Sequence, residues 1–156
     1  MPSIYSIHGN AVTVAERPGG GAIGSPGDLE QVSGVAWSDV VGLRQGWGTT
    51  FRGKSGKFVW FHVPFPTPVT VNGIASDVER LEVLFDVASG VVVDSIHLWD
   101  NAYNRWFARD RLGLTSSFVS GFDRGTILRG ALSISVGVSF RSAANITFRG
   151  AILAVR

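Results

Sequence analysis

Any acid–base chemistry in this chain falls to three histidines, His8, His62 and His97. Cysteine is absent, and with it thiolate nucleophiles, disulfides and sulfur-ligated metals. No two histidines stand at a helical metal-binding spacing, so a metal would need all three gathered from separate strands; no metal and no other cofactor is expected. His62 and His97 are the acid–base candidates. The register written for the surrounding segment sets Glu82 opposite His97, a carboxylate that could orient an imidazole base. A nucleophile signature is missing: there is no Gly-x-Ser-x-Gly elbow, and Ser95 is a strand residue on the same face. An exposed cross-strand pair worth roughly 0.2–1 kcal/mol accounts for Glu82 and His97 more simply.

Recognition chemistry is densest in Trp99-Asp100-Asn101-Ala102-Tyr103-Asn104-Arg105-Trp106. Flat apolar rings suit sugar faces, and Asp, Asn and Arg supply directed hydrogen bonds. Trp99, Asp100, Tyr103, Arg105 and Trp106 are therefore the expected contacts to a glycan or small aromatic ligand. The plainer reading is a turn before a strand, with Trp106-Phe107 in the core. Arg109 and Arg111 extend the run toward single-stranded nucleic acid binding, and Asp100 and Asp110 count against it. Gly48-Thr49-Thr50-Phe51-Arg52-Gly53-Lys54-Ser55 satisfies the P-loop pattern. That mechanism needs a helix after the loop, whereas Lys57 to Val63 reads as a strand.

The 156 residues carry 14 Lys and Arg against 12 Asp and Glu, a net charge of +2, and only Lys54 and Lys57 are lysine. Acidic residues are interleaved with the arginines, which argues against a nucleic-acid footprint. Arginine in place of lysine favours interfaces, so a homo-oligomer is expected. A hydrophobic share of 45% rules out whole-chain disorder, and the length suits one domain over 1–156. No stretch approaches the roughly eighteen uninterrupted apolar residues of a membrane span. Met1 to Asn10 lacks a basic region followed by an apolar run, so the expected address is the cytoplasm.

The elements that must position these residues are strands. The 20 Gly and 6 Pro punctuate short runs rich in Val, Ile, Phe and Trp. One helical turn is expected over Pro26 to Gln31, capped by Ser25, and Pro18-Gly19-Gly20-Gly21 opens a loop. Gly46–Arg52 and Lys57–Val63 flank Gly53-Lys54-Ser55-Gly56 as a hairpin, which sets Phe51 opposite Phe58, Thr49 opposite Trp60 and Trp47 opposite His62. Glu79–Ala88 and Val91–Asp100 form a second hairpin through Ser89-Gly90. Leu81, Val83, Phe85, Val87, Val92, Ile96 and Leu98 lie on its buried side, with Asp94 the exception; Glu82 pairs with His97 and Arg80 with Trp99. Leu132 to Arg141 alternates strictly, and Asn145-Ile146-Thr147 begins the last strand beside it. The expected fold is an all-β antiparallel sandwich, jelly-roll-like, with a closed barrel as the alternative.

His8-Gly9-Asn10, Gly46-Trp47-Gly48-Thr49-Thr50-Phe51-Arg52-Gly53, Phe61-His62-Val63-Pro64-Phe65-Pro66-Thr67-Pro68-Val69 and Ile96-His97-Leu98-Trp99-Asp100 together resemble a family of small microbial proteins carried as a domain of unknown function. The chain departs from that family at Asn101, where glycine is expected, and in a last strand without an acidic ending. The resemblance implies the β fold and brings no activity with it. The expected function is a non-enzymatic binding or assembly module. A small hydrolase or cyclase, using His62 or His97 in an aromatic pocket, is the alternative.

Overall fold

A computed structural model of the chain describes residues 3–14, 26–30, 32, 42–65, 70–71, 74–75, 77–100, 104–122 and 130–156. In chain order its strands are β1 (Ser3–His8), β2 (Thr13–Val14), β3 (Leu29–Glu30), β4 (Leu43–Gln45), β5 (Gly48–Gly53), β6 (Lys57–Phe65), β7 (Thr70–Val71), β8 (Ile74–Ala75), β9 (Val78–Val87), β10 (Val91–Asp100), β11 (Asn104–Arg109), β12 (Phe118–Gly121), β13 (Leu132–Phe140) and β14 (Ala144–Val155). Among the described residues, helix is confined to single 3-10 turns at Gly9–Ala11 and Pro26–Asp28. The second turn runs directly into β3, so the expected helical turn stops short of Gln31. Ser25, Gln31 and the Pro18–Gly21 loop lie outside the described residues. No helix among the described residues is long and apolar enough to cross a membrane.

Two antiparallel sheets make an open, jelly-roll-like sandwich. The larger runs β12-β9-β14-β5-β3, with β1 also on β14 and β4 on β5; the smaller runs β11-β10-β13-β6-β2. They do not close on each other, so the barrel alternative falls. Phe51, Phe85 and Phe148 from the first sheet meet Phe61, Ile96 and Ile134 from the second, all nearly inaccessible to solvent. Phe61 stands 4.8 Å from Phe51 and 5.0 Å from Phe148, ring centre to ring centre, and this aromatic cluster joins the layers.

The expected hairpins are corrected in one consistent way. β5 and β6, β9 and β10, and β13 and β14 each lie in different sheets, so their short connections are arches that carry the chain across the core. Phe51 packs on Phe61 through the interior instead of pairing with Phe58, and Thr49 is a neighbour of Phe148, not of Trp60. Trp47 lies in the turn before β5, 49% exposed, under the Arg149 guanidinium and away from His62. Pairs Glu82–His97 and Arg80–Trp99 do not form; Arg80 instead bridges Glu82 on its own strand at 2.5 Å. The cause is that alternation states which side of a strand is buried but not which strand lies beside it. A core-facing residue is satisfied equally by a neighbour in its own sheet or by one across the core. The Asp94 exception does have a structural cause: the ladder between β10 and β13 shifts between Val93 and Ser95, a bulge that absorbs one residue and turns Val91 and Val93 inward ahead of Ile96 and Leu98.

Candidate functional site

β13 is the middle strand of the smaller sheet, between β10 and β6. Its inward positions Leu132, Ile134, Val136, Val138 and Phe140 fill the core, which leaves Ser133, Ser135, Gly137 and Ser139 facing out. On β6 the same alternation buries Val59, Phe61, Val63 and Phe65 and turns Phe58, Trp60 and His62 outward. Beyond the bulge, β10 presents Ser95, His97 and Trp99. A floor of small side chains is thus flanked by aromatic rings.

The rings lie down onto that floor. A Cβ at Gly137 would stand 2.5 Å from Phe58 Cζ and 3.1 Å from Trp60 Cη2, so glycine is what allows the rings over the strand. His97 sits between two indoles, 4.9 Å from Trp60 and 6.3 Å from Trp99. Phe58 meets Trp60 edge-on at 5.3 Å. The result is a continuous row of rings across the sheet, Phe58, Trp60 and Trp99 half-buried and His97 buried between the two indoles.

Hydrogen bonds fix the row. Trp99 Nε1–H donates to Ser135 Oγ at 3.1 Å, and the same oxygen is 2.9 Å from His62 Nδ1. His97 Nε2 is 2.8 Å from Asp110 Oδ1. Ser139 Oγ–H donates to Asp94 Oδ2 beside them. Burial pushes the His62 pKa below the usual histidine value, because the imidazolium loses water there.

His62, His97 and Trp99 are therefore brought together on one face, although they were expected to serve different chemistries. Glu82 is in the other sheet and Asp110 takes its place beside His97. Asp100 is not on this face: it is 2% exposed, and its Oδ1 accepts the Gly130 N–H at 2.8 Å, holding a loop. Tyr103 lies outside the described residues, as do the side chains of Arg105 and Trp106, whose backbone belongs to β11. Arg109 stacks on Phe107 at 4.7 Å, and Phe107 packs with Phe118 and Phe122 where the two sheets meet at their edge.

Sequence reasoning did not assign Trp60, Ser135, Gly137 or Asp110 to a site. The available signal was the outward set of β6: Phe58, Trp60 and His62 are aromatic where a solvent-facing strand ordinarily turns polar.

As acid–base machinery the face is divided. Ser135 pairs with one histidine and the carboxylate of Asp110 with the other, so a serine–histidine–carboxylate line is not assembled. No cluster of three or more His, Asp or Glu that could hold a metal occurs among the described residues. Lys57–Phe65 is extended, so the P-loop string lacks the helix it would need. What the face offers is apolar ring surface rimmed by hydroxyl, imidazole and carboxylate groups.

No family model and no curated protein matches the chain. Among solved structures it is similar to a low-affinity xylan-binding module, CBM86, from the gut symbiont Roseburia intestinalis, with 99% of this chain and 96% of that one aligned at a TM-score of 0.53 and 8% identity. It is similar also to the xylan-binding module CBM15, over 99% and 97% of the two chains, at a TM-score of 0.52 and 12% identity. At these identities the likeness is one of fold, and the chain shares the two-sheet β-sandwich of those modules along nearly its whole length.

Proposed function

We propose that this chain is a carbohydrate-binding module that takes a polysaccharide across the outward face of its smaller sheet. The observation that carries the reading is the row Trp60–His97–Trp99 laid over Ser135 and Gly137. Folding rewards burial of apolar rings in the core, and these rings face outward instead. Pyranose rings stack on indoles through their C–H faces, while Ser, His and Asp groups at the rim pair with hydroxyls. The sandwich shared with two xylan-binding modules supports xylan as the first ligand to try.

Electrophoresis through gels containing soluble xylan, mixed-linkage β-glucan or galactan tests the proposal. The protein is expected to be retarded by at least one polysaccharide. Trp60→Ala and Trp99→Ala should migrate freely while keeping an unchanged far-ultraviolet spectrum. Free migration of the unmodified protein in every gel would overturn the reading.

A further inference from the structure

The contact at Ser135 links the indole of Trp99 to the imidazole of His62. An indole N–H only donates, so Ser135 Oγ is the acceptor of the 3.1 Å bond from Trp99. Its single hydroxyl proton is then available to His62 Nδ1 at 2.9 Å. With Nδ1 accepting, the imidazole is neutral and carries its proton on Nε2. We propose that Ser135 is the positioning residue of this face, orienting the Trp99 ring and holding His62 as the neutral Nε2–H tautomer, so that glycan uptake and protonation of His62 oppose each other.

This inference rests on the glycan reading above and adds its regulation. A sugar stacked over the row removes water from His62, and desolvation disfavours the imidazolium. Burial alone already acts in that direction. Among the described residues, the groups around His62 do not offset it. β13 contributes Ser133 and Ser135, β2 contributes Thr13, whose hydroxyl donates to the His62 carbonyl at 3.5 Å, and Trp60 and Pro64 are its outward neighbours on β6. Across β13 the titratable groups among the described side chains are His97, held by Asp110, and Asp94, held by Ser139. Neither carboxylate has a hydrogen bond or ion pair to His62. Because coupling between two binding events is reciprocal, a ligand that disfavours the proton is itself disfavoured by it.

Calorimetric titration with soluble xylan, or with whichever polysaccharide retards the protein, tests this between about pH 8 and about pH 5, where histidine titrates. Affinity should fall on acidification, by up to about tenfold per pH unit once below the His62 pKa. His62→Asn keeps an acceptor toward Ser135 and should flatten the profile. His97→Gln should weaken binding but retain the slope. Ser135→Ala should lower affinity at neutral pH, and Ser135→Thr, which keeps the hydroxyl, should recover much of it. Parallel slopes for the unmodified protein and His62→Asn would overturn the inference and leave the glycan reading standing. No binding by any form at any pH would end both. Nitrogen-15 spectra of the free protein give a second readout: a His62 proton on Nε2 supports the assignment, and one on Nδ1 overturns it.

Discussion

The outward faces of the two sheets solve the problem of meeting water differently. On the larger sheet, charge does the work: Arg52 bridges Glu30 at 2.7 Å, Arg80 bridges Glu82 at 2.5 Å, and Arg149 pairs with Asp86. Thr50 and Thr147 share a hydrogen bond of 2.7 Å beside them. Its exposed aliphatic residues, Ile4 and Val119, stand on the outer strands β1 and β12. On the smaller sheet the middle of the face is given to rings, and its polar groups are used to hold those rings in place. Ordinary surface ion pairs are replaceable at a cost of about 1 kcal/mol or less each. A ring pinned by a hydroxyl, as Trp99 is, or seated over a glycine, as Trp60 is, is constrained in position, which is what a recognition surface requires.

The comparison can be broken or sharpened by substitution. The largest effect is expected beneath both faces: Phe61→Ala, in the aromatic cluster between the sheets, should destabilise by about 3–5 kcal/mol in urea unfolding. A value under about 1 kcal/mol would mean that the layers are not joined there. Next is Trp60→Ala, which should weaken polysaccharide binding by about thirtyfold, the loss typical of an anchoring aromatic, while Trp47→Ala on the opposite side leaves it unchanged. Gly137→Ala should follow, with a smaller loss of affinity and a near-normal unfolding midpoint, since its methyl group displaces Phe58 and Trp60 rather than core side chains.

A weaker signature is the pH dependence of stability. His62 has a lowered pKa when folded, so the unfolded chain takes up the proton first as pH drops. Stability should fall below about pH 6.5 and stop falling once the folded pKa is passed. His62→Asn should remove that component from unfolding midpoints measured across the range. The smallest effect belongs to Arg149→Ala, expected to cost less than about 1 kcal/mol and no affinity.

Much of this was readable in the residues and some was not. The outward and inward sets of β9 and β13 follow from strict alternation, and the bulge showed itself as the misplaced Asp94. Which strands are neighbours was not readable. Gly53-Lys54-Ser55-Gly56 has the length and composition of a hairpin turn, yet here the Gly56 N–H bonds to the Phe140 carbonyl at 2.7 Å and the chain crosses to the other sheet. Alternation alone sets Glu82 opposite His97, whereas the crossing of the chain brings Asp110 and Trp60 beside it.

The first two strings behind the family resemblance contain residues with packing roles. Gly9 and Gly48 both approach the Phe148 carbonyl so closely that a Cβ would lie 2.0 and 2.3 Å from its oxygen. His8 Nε2 is 3.1 Å from the Gly46 carbonyl oxygen, and Thr49 Oγ–H donates to Asn10 Oδ1 at 3.0 Å. Those residues tie β1 to β5 along β14, whereas Trp60, His62, His97 and Trp99 lie on the outward face of the other sheet.

Indole N–H resonances recorded while soluble xylan is added test the central claim most directly, because the two faces carry distinct tryptophans. The account predicts that the Trp60 and Trp99 signals move and saturate together while Trp47, stacked under Arg149 on the far sheet, stays still. Movement of Trp47 with Trp60 and Trp99 unchanged would contradict it.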